Sequence, residues 1–241
     1  MSNAITMERQ RTSSRARQLV PHLLGSAFLV VIVTSFAGGM LLGSALGSSY
    51  HSDLLVNLST RFTTARLGVI IDLLTSCGIV TIAVLLYTVL YRHGKIVARV
   101  ALALWLLEAM FMALSRLGAL ALVWLSQSFV DIGSPGQSSY QVLGEWVYKG
   151  VYTQAYTIHM FFYCIGGLLW YGLFYRSRLI PRLISIFGLA ATAMGLAGIA
   201  AEIFGATVPT AVFLPLLGFE LVVGLWLVTR GTRDELLQAP E

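Results

Sequence analysis

Six ionisable residues lie inside apolar runs of this chain: Asp72, Glu108, Arg116, His159, Glu202 and Glu220. A charge at the centre of a membrane-spanning helix costs about 2.5–3.5 kcal/mol on insertion scales, so groups of this kind face inward, pair with one another or line a wet cavity. A seventh element joins them. Tyr152, Tyr156, His159 and Tyr163 recur at helical spacing, within about 60° of arc at roughly 100° per residue. Aromatic hydroxyls, one imidazole and several carboxylates on converging faces suit the binding of a small molecule, ion or proton, or the sensing of conditions at the outer face. The same residues also admit a packing-only reading: Arg116 neutralises Asp72 or Glu202, His159 donates a hydrogen bond to a carboxylate, and Glu108 and Glu220 carry protons in place of partners.

The elements that position these groups follow from composition. Of 241 residues, 57% are hydrophobic and 11% charged, with a mean hydropathy of +0.79, which excludes an ordinary soluble domain. Twenty apolar residues at about 1.5 Å rise cross about 30 Å of hydrocarbon. Runs of that length occur at about 23–46, 67–91, 100–125, 151–175, 183–204 and 210–229. The expected fold is an all-α bundle of six transmembrane helices over residues 21–230, between a flexible basic tail at 1–20 and a polar tail at 231–241. The first run exceeds a signal-peptide core and reads as an uncleaved span.

Twelve of the sixteen Lys and Arg residues fall in the two tails and in the turns at 92–99 and 176–182, while only Arg61, Arg66 and Lys149 fall in the opposite loops. The positive-inside rule therefore places both termini in the cytoplasm. Basic clusters beside apolar spans serve as topology signals and lipid contacts, so the net charge of +5 does not point to nucleic acid. The partners expected are the lipid bilayer and a small molecule or ion, and nothing in the pattern sets an oligomeric state.

Depth along each span refines the picture. Glu108 follows Arg99 by nine residues and Glu220 precedes Arg230 by ten, which places both near the midplane, whereas Asp72, Arg116, His159 and Glu202 fall toward the outer side. Glu108 and Glu220 also occupy the third and sixth spans, as an inverted three-plus-three repeat in a small transporter or channel would require, whereas Asp72 and Glu202, both toward the outside, do not match in this way. Pro215 is expected to break the sixth span five residues before Glu220. Gly38, Gly39, Gly43 and Gly47 are expected to bring another helix close to span 1, and Ala and Gly do the same in span 5. Residues 50–65 read as a short interfacial helix, and 126–147 as the longest loop, with Gly133, Ser134, Pro135 and Gly136 as turn residues and Trp146 as an interface anchor.

Both cysteines, Cys77 and Cys164, sit in apolar spans and read as small core residues; no disulfide, zinc ligand set or cofactor is indicated. No His-x-x-x-His, Gly-x-Ser-x-Gly or phosphate-binding loop occurs, so no catalytic residue or enzymatic activity is assigned.

Several segments carry a resemblance. Trp170-Tyr171-Gly172-Leu173-Phe174-Tyr175-Arg176-Ser177-Arg178-Leu179-Ile180-Pro181-Arg182, after His159, is followed by Gly218-Phe219-Glu220-Leu221 and by Leu225-Trp226-Leu227-Val228-x-Arg230-Gly231. With Ile71-Asp72-Leu73 and Leu107-Glu108-Ala109, this pattern resembles the bacterial family known as domain of unknown function 4386, over roughly residues 20–231. The resemblance implies a multi-pass protein of the bacterial plasma membrane and carries over no reaction, ligand or catalytic residue. The family more often has Arg-Ser-Gly where this chain has Arg176-Ser177-Arg178.

Overall fold

In the computed structural model of the chain the described residues are 2–47, 54–135 and 138–232, with side chains described from Leu19 onward. Among the described residues eight α-helices follow one another: α1 Ser2–Leu46, α2 Leu54–Thr60, α3 Phe62–Leu90, α4 Lys95–Asp131, α5 Ser139–Trp146, α6 Gln154–Ser177, α7 Arg182–Ile203 and α8 Leu214–Arg230. Six helical stretches among the described residues are long and apolar enough to cross a membrane: Leu19–Leu46, Phe62–His93, Lys95–Asp131, Ser139–Ser177, Arg182–Ile203 and Thr210–Arg230. The protein is an all-helical, multi-pass membrane protein. Its outer surface agrees with that, because side chains such as Val33, Phe36 and Leu183 project outward where only lipid would leave them stable. Gly136, part of the anticipated turn, and residues 233–241 of the anticipated C-terminal tail lie outside the described residues.

Short connections make sequential helices antiparallel neighbours, and here they close a ring. α1 packs on α3, α3 on α4, α4 on α6, α6 on α7, α7 on α8, and α8 returns to α1. Small residues permit the closure. A Cβ added to Gly25 would meet the Gly224 carbonyl at 2.7 Å, and His22 Nδ1 lies 3.0 Å from the Val228 carbonyl oxygen. We call the end of the ring that holds Arg92–Lys95 and Arg176–Arg182 proximal, and the end that holds α2 and α5 distal.

Several connections differ from the sequence expectation. The anticipated loop at 126–147 is mostly helical: α4 runs on to Asp131, and Ser138 starts α5 with a capping box completed by Gln141. Val147–Thr153 then forms a π-helical turn before α6. Pro215 does not interrupt a helix. Thr210–Phe213 is a 3-10 turn, and Pro215 stands in the first turn of α8, where its missing N–H has no intrahelical partner to lose. Arg178 ends α6 with φ 57°, a left-handed conformation that glycine adopts without a Cβ penalty. That geometry accounts for the glycine common at this place in the resemblance above.

Of the span 1 glycines, Gly38 faces α3, whereas Gly39 and Gly43 meet nothing within 4 Å, and Gly47 forms a turn at φ 78°. In α7 the expectation holds: Gly188 lies against Phe219, Gly195 against Leu216 and Cys164. Cys164 is buried as anticipated, but Cys77 is exposed, because its position on α3 turns away from the ring.

Candidate functional site: two polar clusters joined at Tyr156

The distal cluster starts from Asp72, fully buried on α3. Arg116 on α4 reaches it, with Nε 2.8 Å from Oδ2, and the side chains are only 4% and 1% exposed. The two atoms are close but not aligned as a hydrogen bond, so the attraction is chiefly Coulombic. Gly38 makes room for the acid, since any Cβ there would collide with Asp72 Oδ1. Arg116 Nη1 donates to Ser115 Oγ at 3.2 Å, and Ser115 Oγ donates to the Tyr152 carbonyl at 2.7 Å. The Tyr152 and Tyr156 rings sit 5.4 and 5.5 Å from the guanidinium carbon. The π-helical turn and Gly118 explain how. A Cβ on Gly118 would lie 3.0 Å from the Tyr152 nitrogen, so only glycine lets that turn approach α4 so closely.

The second cluster lies toward the ring interior. His159 Nδ1 is 3.3 Å from the Glu108 carbonyl oxygen and 4.0 Å from Glu108 Oε1. With its proton on Nδ1 the ring donates to that carbonyl. Tyr163 OH donates to Glu220 Oε1 at 2.9 Å, and Trp105 Nε1 donates to the Tyr163 carbonyl at 3.2 Å. Trp105 stacks on Tyr163 with ring centroids 5.9 Å apart. Glu108 Oε2 is buried and has no hydrogen-bond partner.

These groups border a partly open cavity of about 220 Å³ between α1, α3, α4, α6, α8 and the 3-10 turn before α8. Its polar lining is Glu108, His159, Tyr163 and Glu220, with Tyr156, Ser35 and Thr75, and its apolar walls include Phe28, Ile79, Trp105, Met112, Phe213 and Leu216. Ser35, Tyr156 and Leu217 are exposed and lie in the distal halves of their helices, which puts the rim of the cavity on that side. Tyr156 belongs to both clusters: one neighbour is the Arg116 guanidinium, the other the His159 ring at a centroid distance of 5.2 Å.

The nine residues singled out from the sequence thus divide. Glu108, Tyr156, His159, Tyr163 and Glu220 border the cavity; Asp72 and Arg116 form the buried pair beside it, with the Tyr152 ring against the guanidinium; Glu202 lies at the end of α7, outside both groups. Arg116 therefore has Asp72, not Glu202, as its partner. Sequence reasoning missed Ser115 and Trp105, and it read Gly38 as a helix contact without its role beside Asp72. A serine beside an intramembrane arginine was an available signal, but the role of Gly38 depends on which helix lies opposite. No group of three His, Cys, Asp or Glu side chains able to hold a metal occurs among the described residues.

The model of the family DUF4386, a domain of unknown function, matches residues 23–231. The chain belongs to the DUF4386 family. The match takes in nearly all of the six membrane-spanning stretches and every residue of both polar clusters. No curated protein and no solved structure matches the chain.

Proposed function

We propose that this DUF4386 protein resides in a bacterial plasma membrane with both termini in the cytoplasm, and that it binds a small molecule in the interior cavity from the outer, distal side. The observation that carries the reading is Glu108: a carboxyl 2% exposed, with Oε2 unpartnered, bordering a cavity that it shares with His159 and Glu220. A buried polar atom without a partner is costly, and a ligand atom in the cavity would satisfy it. The Asp72–Arg116 pair, whose charges offset each other, supports the wall of the cavity through Tyr156. Transport is the second reading, favoured by Glu108 and Glu220 reaching one cavity from the third and sixth spans.

Thermal unfolding of the purified protein in lipid nanodiscs, against a panel of small cationic, neutral and anionic lipophilic molecules and simple ions, tests the proposal. A ligand at a hundred times its dissociation constant adds about 2.7 kcal/mol to the folded state. Met112→Trp should fill the cavity and abolish any such response, and His159→Ala and Tyr156→Phe should weaken it while costing no more than about 1–2 kcal/mol of stability. If no compound stabilises the protein, or if Met112→Trp leaves the response intact, the cavity is not a binding site. Uptake of a bound compound into proteoliposomes distinguishes transport from binding alone.

A further inference from the structure

The hydrogen-bonding state of the cavity selects its ligand. Deep in the cavity the donors are already committed: Trp105 Nε1 to the Tyr163 carbonyl, Tyr163 OH to Glu220 Oε1, and Thr75 Oγ1 to Thr34 Oγ1 at 2.8 Å. With its proton on Nδ1, His159 is committed to the Glu108 carbonyl as well. At that depth what stays uncommitted is acceptor capacity, above all Glu108 Oε2, with the Glu220 carboxyl facing the same space, while the Tyr156 and Ser35 hydroxyls lie at the rim. A ligand that completes this site must donate.

Charge points the same way. The lining contains two carboxyls and no Lys or Arg, and the nearby Arg116 is held by Asp72 at 2.8 Å. An anion entering this low-dielectric space would face two carboxyls with no compensating cation, whereas an ammonium would pair with them. The rings of Trp105, Tyr156 and Tyr163 also border the space, and aromatic rings favour a nearby cation over an anion. Phe28, Ile79 and Leu216 supply an apolar wall for the remainder of the molecule. A volume of about 220 Å³ is below the roughly 300–1,000 Å³ of pockets for drug-sized ligands, so the apolar body must be small.

We infer that the cavity takes a small lipophilic amine, whose ammonium binds at the Glu108 and Glu220 carboxyls and whose apolar body lies against Phe28, Ile79 and Trp105. This rests on the cavity being a binding site, as proposed above, and adds the class of ligand. Three probes with one carbon skeleton separate the two claims: 2-phenylethylamine, 2-phenylethanol and phenylacetate. Each is titrated against the full chain in nanodiscs of zwitterionic lipid, with thermal shift and tryptophan fluorescence as readouts.

The amine should bind saturably and at least about tenfold more tightly than the alcohol, a difference of about 1.4 kcal/mol, and phenylacetate should not bind. Glu108→Gln and Glu220→Gln should each reduce amine affinity about tenfold or more and leave the alcohol unaffected. Met112→Trp, which leaves both carboxyls in place, should abolish amine binding; should Glu108→Gln fail to fold, Glu220→Gln and Met112→Trp carry the comparison. Equal or tighter binding of the alcohol or the acid, or amine binding indifferent to both Glu→Gln changes, overturns the amine assignment and leaves the cavity as a site for another ligand. Failure of all three probes also overturns the amine assignment, and the cavity itself then stands or falls with the wider panel.

Discussion

Removing Arg116 should expose how much the distal charge pair contributes to the fold. Asp72 has zero exposure, and its carboxylate is wedged between Gly38 of α1 and the Arg116 guanidinium, so no water can replace the lost partner without a gap opening between α1 and α3. At 2.8 Å and an effective dielectric of about 20, the gross attraction is about 6 kcal/mol. Desolvation of both ions cancels much of it, yet truncating one partner of a buried pair leaves a stranded charge and typically costs about 3–5 kcal/mol. Arg116→Leu should fall in that range when unfolding is followed by thermal or denaturant titration in detergent. Asp72→Asn should cost less, because Arg116 keeps Ser115 and the faces of Tyr152 and Tyr156. In the double variant no charge is stranded, and about 1–3 kcal/mol should be recovered relative to the sum of the single losses. A strictly additive double variant, or an equal rescue of Arg116→Leu by Glu202→Gln, would refute the assignment of Asp72 as the partner.

Three further outcomes are expected. Gly38→Ala should destabilise by about 1–3 kcal/mol because its Cβ runs into the Asp72 carboxylate, while the adjacent Gly39→Ala, with nothing within 4 Å, should be neutral or gain up to about 1 kcal/mol from helix propensity; thermal unfolding of the two side by side checks the contrast. Arg178→Gly should raise stability by about 1 kcal/mol by relieving the left-handed backbone at φ 57°, and an unchanged or lower melting temperature would contradict that account. A reporter fused after Glu241 should be cytoplasmic and a cysteine placed at Ser138 should label from outside intact cells; the reverse pattern would overturn the orientation.

Much of the fold was legible because its signals are local in the chain. Long apolar runs separated by short basic turns specify crossing helices, since in hydrocarbon every backbone N–H and C=O must be satisfied within its own segment. The burial of Asp72, Glu108, Arg116 and His159 was legible for the same reason: lipid cannot solvate them, so the ring interior must. The segment 126–147 was misread because Gly and Pro near its middle mark a real turn but say nothing of how far helix extends on either side. Here tertiary contact decided, as α5 packs on the π-helical turn and α4 and places Gly144 against Leu55.

Which charge pairs with which was beyond the sequence. Asp72 and Glu202 were equivalent candidates for Arg116 by type and depth, and only the order of helices around the ring puts α3, not α7, beside α4. The cavity is likewise a property of the closed ring. Phe28, Ile79, Met112 and Leu216 read as ordinary lipid-span residues one helix at a time, and they become the walls of one space only because α8 returns to α1. Periodicity, hydropathy and charge fix what each helix must bury, because those costs depend on the segment and its solvent. The identity of the neighbour across the interface depends on side-chain shape over hundreds of residues of separation, as between Gly25 and Gly224, and that is settled only when the helices meet.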